Sequence, residues 1–499
     1  MKRSETWSIL LGVTFILLVG ITISYAKAGQ ESYLLKSPRG DSLSELKKSV
    51  GGSLEIEKES DISPKIITRE NIPAMGTGEV PTIYIVLGID TETGYSSQWP
   101  TMTVPYHATG EPSESSILPS LDSTWRATTE DSLGDGVKIT WYLLSDEMDC
   151  QSTSGNCLKM YDAFMAHEDQ VNAIGDELAW HYHNRGWVLV ENQPYDGLWS
   201  HLFTFDGTFY TEGTDVEFAE KMLNQMIIEK NYFPENFRSG WTWEDNDYSN
   251  WLENILLYDY SNLAPLVSGD LDWSRAPIWP ETMSYNPSTL DYQTPGAMNR
   301  MIIQCDINLP QGGNEEKMDI AIEKALAGED SIYCLYTHGP SGAVNSLADS
   351  VNALVQDKKQ EYDDSEVIFK YATATEAIQS YVGTSDKISP TLDIDKQGNF
   401  LVVKVNEPIF NDYPYLALKF VDGSYGRLHG VLASENTYEY DLGALQEEEI
   451  ETVGAAAVDV AGNAGTLVRT MAEITAPEPS CQPAYYDKQR GIWMPGNCG

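Results

Sequence analysis

Basic residues are scarce in this sequence. Lysine and arginine total 32 against 75 aspartates and glutamates, which gives a formal charge of -43 at pH 7. Because such an acidic surface repels other polyanions, the composition argues against nucleic acid and anionic lipid headgroups as partners, and no nucleic-acid partner is predicted. The acidic residues are spread along the chain instead of forming one tail, which indicates a solvated acidic surface.

An apolar stretch near the N-terminus predicts that the protein is exported. An apolar run from about Trp7 to Tyr25 follows Lys2 and Arg3 and precedes Ala26-Lys-Ala28, the small-x-small pattern of a signal-peptidase site. Residues 1–28 are therefore predicted to be an export signal. The run is nearly long enough to span a bilayer, so an uncleaved N-terminal anchor is the alternative. Both interpretations place the bulk of the chain outside the cytoplasm, secreted or on the cell surface, with any membrane attachment through this segment only.

Cysteines are also few, and no CxxC pair occurs among the six, so a thiolate zinc site has little support. An even number of cysteines in an exported chain favours disulfide bonds. The natural local pairs are Cys150 with Cys157 and Cys481 with Cys498, which would leave Cys305 with Cys334. Spacing alone leaves the connectivity open.

The 499 residues divide by texture into several segments. Residues 29–80 are rich in Ser, Glu, Lys and Gly and are predicted to be a linker. Between residues 81 and 383, continuous apolar runs typical of buried strands alternate with helical patterns, which predicts an α/β fold with a parallel sheet, open or closed as a barrel. The predicted strands lie at 81–90, 137–144, 177–183, 263–267, 332–337 and 367–371. The clearest helix begins at Thr214 with a capping-box spacing, and further helices are expected near 158–173, 246–257, 315–327 and 346–359.

Helical patterns end after residue 382. Short alternating segments separated by turn signals predict a small β-sandwich over 388–474, and its segment from Ala457 to Gly465 resembles bacterial immunoglobulin-like modules. Residues 475–499 form a tail that Cys481 and Cys498 are expected to close into a loop.

Histidine is rare, with seven in the chain, yet His181 and His183 lie two residues apart behind an apolar run. Side chains alternate along a strand, so both rings point to the same side. Two imidazoles on one face can share a metal ion, and two exposed histidines in a loop are the alternative.

Other predicted strands also end in polar groups. Asp90 and Glu92 end the first strand, and His338 ends a later one. In α/β folds with parallel sheets, functional groups collect at the C-terminal ends of strands. Imidazoles and carboxylates with room for water are what a hydrolytic metal ion requires, and a spare carboxylate and imidazole would act as base and acid.

These features resemble the polysaccharide deacetylase family, the one with the NodB homology region, over roughly residues 81–383. The segments that carry the resemblance follow the family's order: Ile89 to Glu92, Glu177 to His181, Arg238 to Trp241, Asp270 to Trp273, and Leu335 to His338. The resemblance implies a distorted β/α barrel of the glycoside hydrolase and deacetylase type.

The resemblance also implies roles for individual residues. Asp90 takes the position of the general base, Arg238 orients its carboxylate, and His338 takes the position of a general acid. A backbone amide near Trp241 would help to bind an oxyanion. Trp241, together with Asp272 and Trp273 of the later Asp-Trp motif, is the expected substrate-binding set.

The sequence departs from the family pattern at two metal ligands. The second aspartate of the first motif is Thr91 here, and the second histidine, four residues after the first, is replaced by Arg185. Glu92 shares a face with Asp90, and His183 shares a face with His181. We therefore expect a rearranged site in which Asp90 or Glu92 joins His181 and His183 around a divalent ion, with zinc as the favoured metal.

The resulting prediction is an exported metal-dependent hydrolase that removes acyl groups, chiefly acetyl, from a polysaccharide or cell-envelope glycan. One alternative is a non-catalytic glycan-binding envelope protein on a deacetylase-like barrel. Another is a related hydrolase of non-peptide carbon-nitrogen bonds outside carbohydrates.

Overall fold

The computed structural model describes residues 80–91, 117–145, 157–182, 186–189, 197–200, 214–240, 244, 246–262, 284–290, 292, 294–305, 307–308, 314–339, 344–362, 364–475, 485–487 and 492–494. All of them belong to one compact unit, Pro64–Gly499. Among the helices of these residues, none is long and apolar enough to cross a bilayer. The predicted export signal or anchor and most of the predicted linker lie outside the described residues.

Strands and helices alternate in the first part of the chain, as the apolar runs predict. In order, the elements are β1 (Thr82–Thr91), α1 (Ser123–Arg126), β2 (Ile139–Leu144), α2 (Lys159–Met165), α3 (Glu168–Ala173), β3 (Glu177–Tyr182), β4 (Gly186–Leu189), β5 (Gly197–Ser200), α4 (Thr214–Lys230), β6 (Asn236–Ser239), α5 (Asn246–Leu252), β7 (Tyr258–Asn262), β8 (Ser284–Tyr285), β9 (Met301–Gln304), β10 (Ile307–Asn308), α6 (Asn314–Leu326), β11 (Ser331–Gly339), α7 (Val344–Glu361), β12 (Ile368–Tyr371) and α8 (Ala374–Val382).

One mixed sheet organises this part of the chain. Its strand order is β10-β11-β1-β2-β3-β6-β7-β9-β8, and β12 pairs with the first half of β1. Neighbouring strands are parallel except for β8 and β9, which are antiparallel. β4 and β5 form a separate two-stranded hairpin. The predicted parallel sheet is therefore present, with one antiparallel edge.

The sheet is curled so that the two ends of its strand order lie close together. In a flat sheet the seven spacings from β9 to β10 would measure about 34 Å. Gln304 ends β9 and Ile307 begins β10, and three residues of chain span at most about 11 Å. The chain can connect these strands only if the sheet bends round on itself, which gives it an inner and an outer face.

The sequence patterns missed five strands of this sheet: β6, β7, β8, β9 and β10. The four-residue strands β6 and β9 lack a long apolar run, since Arg238 and Ser239 belong to the first and Gln304 to the second. β7 begins at Tyr258, where the predicted helix over 246–257 was expected to end, and the strand predicted at 263–267 lies outside the described residues. Short buried strands with polar side chains resemble loops in sequence because their partners come from distant segments.

Helix α8 closes the N-terminal end of the curled sheet. Its capping box is complete, because Thr373 accepts from the Glu376 amide and Glu376 accepts from the Thr373 amide. The Thr375 hydroxyl donates to Glu177 Oε1, and the Thr375 amide donates to Glu177 Oε2 at 3.2 Å. The Tyr260 hydroxyl donates to the carbonyl of Ala374 at 2.6 Å. These contacts anchor the helix to strands β3 and β7. Helix α8 therefore covers the N-terminal ends of the strands, and the predicted polar groups lie at the opposite, C-terminal ends.

Two four-stranded antiparallel sheets form the region predicted to be a β-sandwich. Their strands and the short helix after them are β13 (Leu392–Gln397), β14 (Phe400–Val405), β15 (Tyr415–Phe420), β16 (Tyr425–Leu428), β17 (Val431–Ser434), β18 (Thr437–Asp441), β19 (Ile450–Val458), β20 (Ala464–Thr470) and α9 (Met471–Thr475). The strand orders are β13-β14-β18-β17 and β16-β15-β19-β20, and apolar residues of both sheets share one core. In the tail, β21 (Tyr485–Asp487) and β22 (Ile492–Met494) pair as a hairpin.

The turn between β19 and β20 joins these sheets to the curled sheet. The Tyr258 hydroxyl donates to the carbonyl of Ala461 at 2.8 Å, and the Gln379 amide donates to the same oxygen at 3.0 Å. Gly462 has a φ of +89°, and an added Cβ would lie 2.1 Å from Cε2 of Tyr258. The segment from Ala457 to Gly465, which resembles immunoglobulin-like modules, therefore packs against Tyr258 of the curled sheet and Gln379 of α8.

One predicted disulfide is confirmed. Cys305 and Cys334 are bonded to each other, with Cα atoms 4.7 Å apart. Cys157 is also disulfide-bonded, whereas Cys150, Cys481 and Cys498 lie outside the described residues.

Candidate functional site

Polar side chains from separate strands meet near the C-terminal end of the curled sheet. Strand register places Asp90 of β1 opposite His338 of β11 on one side and opposite Tyr142 of β2 on the other. His181 of β3 is opposite Arg238 of β6. Tyr142 is in turn opposite Ala179, so His181 and Arg238 lie two residues farther along their strands than Asp90 and His338, on the same face of the sheet.

Asp90 and Arg238 form a buried ion pair on the inner face. Arg238 Nε donates to Asp90 Oδ2 at 3.1 Å and lies 2.9 Å from Oδ1, and the two residues are 4% and 1% exposed. Oδ1 nevertheless accepts no hydrogen bond of good geometry from the described residues. The carboxylate therefore keeps one acceptor for a ligand or water.

Electrostatics keep Asp90 ionised. Burial raises the pKa of this carboxyl, but the positive charge of Arg238 and the nearby imidazoles of His181 and His338 outweigh burial, so its pKa lies below the usual value. Burial lowers the pKa of Arg238, but the negative charge of the Asp90 carboxylate outweighs burial, so the pKa of Arg238 lies above its usual value. The pair is charged at neutral pH.

Backbone and aromatic contacts from three further positions hold the Arg238 guanidinium. Nη1 donates to the carbonyl of Tyr260 at 2.6 Å and to the carbonyl of Cys305 at 3.3 Å. The ring of Tyr336 lies against the guanidinium, with Cζ 4.2 Å from the ring centroid, a cation-π contact. Arg238 therefore contacts residues of β1, β7 and β11 as well as the residue after β9.

The His181 ring is oriented by the backbone of the neighbouring strand. Its Nδ1 lies 2.8 Å from the carbonyl oxygen of Arg238, which can only accept, so Nδ1 carries the proton. A neutral ring in this tautomer presents the Nε2 lone pair, and a carbonyl partner on the other nitrogen is typical of histidines that bind metals.

The predicted residues fall into two groups. Asp90, His181, Arg238 and His338 are brought together, His338 being partly exposed and its ring 6.3 Å from that of Tyr336. The others lie outside the described residues: Glu92, His183, Trp241, Asp272 and Trp273.

The described residues supply part of the expected metal set. Asp90 has an acceptor without a hydrogen bond and His181 has the tautomer of a ligand, so both fit a divalent ion. Within the described ranges, Asp90, His181 and His338 do not form a group of three ligand atoms close enough to hold an ion. A complete site therefore depends on Glu92 and His183, the substitutes expected from the sequence.

A separate carboxylate group lies near the C-terminal sheets. Carboxylate oxygens of Asp386, Glu407 and Asp459 lie within 4.8 Å of one another, a spacing that could hold a metal ion. Asp459 accepts from the amides of Ala461 and Asn463, so hydrogen bonds within its own turn already occupy it. This group is distinct from the residues on the inner face.

Sequence reasoning missed Tyr142, a buried side chain beside Asp90. Tyr142 is fully buried, its hydroxyl has no hydrogen-bond partner among the described residues, and it lies beside Asp90. Gly88 makes room for its ring, because an added Cβ would lie 2.8 Å from Tyr142 Cε2. The tyrosine is one of 28 in the chain. Only the register between β1 and β2 distinguishes it.

Comparisons with known proteins add little. No family model matches the sequence, and no curated protein matches it. A bacterial fucosidase solved with a monovalent iminocyclitol inhibitor is 11% identical over 77% of this chain and 94% of that chain, with a TM-score of 0.25. An α-L-fucosidase GH29 from Bacteroides thetaiotaomicron is 11% identical over 77% of this chain and 93% of that chain, also with a TM-score of 0.25. Similarities this low carry no conclusion about fold or activity.

Proposed function

We propose that this protein is an exported, metal-dependent hydrolase that removes acyl groups, chiefly acetyl, from a polysaccharide or cell-envelope glycan, and that its curled sheet is a distorted β/α barrel. The single observation that carries the proposal is the buried Asp90–Arg238 ion pair, with His338 in register with Asp90 and His181 two residues farther along on the same face. A charged pair on an inner face is costly to bury, and such arrangements are concentrated at functional sites.

Each described side chain has a chemical role in this proposal. Asp90 accepts the proton of the attacking water, and Arg238 holds the carboxylate in place. His338 is partly exposed and donates a proton to the leaving group. A base and an acid on adjacent strands at one register position suit an acyl transfer to water.

A divalent ion, with zinc as the favoured metal, would be held by His181 and His183 with Asp90 or Glu92. When bound, such an ion acidifies water and polarises the acyl carbonyl. Asp90 Oδ1 and the His181 tautomer support this ligand set.

Substrate binding is proposed for the segments that follow β6 and β7. Indole faces such as those of Trp241 and Trp273 suit the apolar faces of sugar rings, and Asp272 would accept hydrogen bonds from sugar hydroxyls. A backbone amide near Trp241 would bind the oxyanion.

Thr91 favours a second candidate, a non-catalytic glycan-binding protein. The Thr91 hydroxyl donates to the carbonyl of Tyr142 at 2.9 Å and accepts from the amide of Leu144 at 3.2 Å. Its side chain thus ties β1 to β2, at the position where the resembling family has a metal ligand. A hydrolase of other non-peptide carbon-nitrogen bonds would keep the same site residues and differ in substrate.

The test combines metal content with product release. The purified full-length chain, its H181A/H183A variant and an H429A control are analysed by plasma mass spectrometry and incubated with acetylated chitin-like and peptidoglycan-like glycans. We expect about one zinc or similar ion per chain in the wild type and in H429A, and none in the double variant. His429 lies between β16 and β17 and its ring is hydrogen-bonded to Tyr413, so its loss leaves the inner face intact.

Acetate release by the wild type and by H429A, abolished in H181A/H183A, supports the hydrolase. Bound metal without acetate release, but with glycan binding, favours the non-catalytic candidate. Release of another carboxylic acid or of ammonia from non-sugar amides would support the third. Absence of metal from every form contradicts the metal-dependent mechanism.

A further inference from the structure

The Cys305–Cys334 disulfide joins the two ends of the curled sheet. Cys305 directly follows β9, and Cys334 lies within β11, whereas β9 and β11 stand near opposite ends of the strand order. Both cysteines are buried, at 0% and 3% exposed. Among the described residues, the ladder between β10 and β11 is only two residues long, so the disulfide is a major tether across this seam.

Each half of the disulfide is connected to a group that contacts Arg238. The carbonyl of Cys305 itself accepts from Arg238 Nη1. Cys334 precedes Tyr336 by two residues on β11, so their side chains share a face, and the Tyr336 ring packs on the guanidinium. Two of the contacts that orient Arg238 therefore come from the two segments that the disulfide joins, Cys305 itself and β11.

We propose that the Cys305–Cys334 disulfide is a positioning element of the candidate site, which holds the Cys305 carbonyl and the Tyr336 ring against Arg238 so that Nε points to Asp90. For activity the proposal rests on the proposed function, whereas for the geometry of Arg238 it does not. A guanidinium is planar with donors in a fixed fork, so a displacement of partners on one side tilts the bond on the other. Without the tether, Arg238 keeps its charge but loses its fixed orientation toward Asp90.

The test follows the Nε–H signal of Arg238 by NMR in full-length protein labelled with 15N-arginine. The R238K variant identifies the signal, and hydrogen exchange is compared between the wild type and C305S/C334S. Arg126 is the internal control, because its Nε donates to Ser120 and its guanidinium pairs with Asp176, away from this seam. C305A/C334V repeats the measurement with apolar replacements in case serine is not tolerated at these buried positions.

We expect the Arg238 Nε–H to exchange about tenfold faster without the disulfide and to shift toward the frequency of exposed arginines, with Arg126 unchanged. An unchanged Arg238 signal in a folded disulfide-free variant overturns the proposal. Equal acceleration at Arg126 and Arg238 also overturns it, because the bond would then stabilise the whole domain and not this site. If neither bound metal nor acetate release is found, the proposed function is contradicted, but the hydrogen exchange of the Arg238 Nε–H still tests the role of the disulfide.

Discussion

Arg238 and Asp90 lie three strands apart in the sheet order, yet Arg238 Nε is 2.9 Å from Asp90 Oδ1. In a flat sheet, three spacings would separate these strands by about 14 Å. The pair can therefore form only across the inside of the curled sheet. Its geometry links the fold directly to the candidate chemistry.

Removal of the cation from this pair is expected to be costly. R238M leaves the Asp90 carboxylate buried without its counter-charge, and we expect it to lower the free energy of unfolding by about 3–5 kcal/mol in urea denaturation. In the double variant R238M/D90N, the isolated charge is gone, so part of the loss should be recovered. A single variant as stable as the wild type would contradict the ion-pair assignment.

Gly88 is expected to control the position of Tyr142. A methyl group at residue 88 would lie 2.8 Å from the Tyr142 ring, so G88A should displace the ring beside Asp90 and cost about 1–3 kcal/mol. Urea denaturation measures this cost. The variant G88A/Y142L, with a smaller side chain opposite the new methyl group, should regain stability relative to G88A. Equal losses in the single and double variants would show that the clash is not the cause.

Glu235, which lies where the C-terminal sheets contact the curled-sheet part of the chain, is expected to make the free energy of unfolding depend on pH. Burial and the charges of Glu177 and Asp459 raise its pKa to about 8, although the amide of Ala464 donates to it and Lys387 is nearby. The folded state thus holds a proton that the unfolded chain releases near 4.5. Its contribution to stability is full below about pH 4.5 and is lost as the pH rises to about 8.

Chemical denaturation of the wild type and E235Q from pH 5 to 9 measures this effect. The difference between them should grow in favour of E235Q as the pH rises, and should level off above about pH 8. E229Q is the matched control, because hydrogen bonds from Tyr425 and Lys419 outweigh burial and lower the pKa of Glu229. Parallel pH profiles for the wild type and E235Q would refute the assignment.

Substitution of Gly462 is expected to lower the free energy of unfolding by more than its positive φ alone would cause. G462A and the control G423A share similar positive φ values, +89° and +85°, but an added Cβ meets nothing at Gly423 and the Tyr258 ring at Gly462. The control should lose about 1 kcal/mol in free energy of unfolding, from φ alone, and G462A clearly more. Thermal unfolding of both variants checks the difference, and equal losses would exclude the clash.

The strands of the sheet differ in how far local sequence determines them. Long apolar runs identified β1, β3 and β11, because strands buried in a parallel sheet need apolar side chains on both faces. The four-residue β6 is buried throughout although it includes Arg238. Partners from distant segments compensate that charge, so no pattern within the strand could identify it.

The site divides in the same way. Sequence position at strand ends pointed to Asp90, His181 and His338, because the carboxyl ends of parallel strands share one edge of a sheet. Tyr142, Tyr336 and the carbonyl of Cys305 became part of the site only through register and curling, since backbone acceptors and ring contacts leave no mark in residue order. By itself the sequence determined the alternation of strands and helices and the polar groups at strand ends, because these follow from local periodicity. The tertiary structure alone decided which of these groups meet, because contact between residues 148 positions apart depends on the closure of the whole sheet.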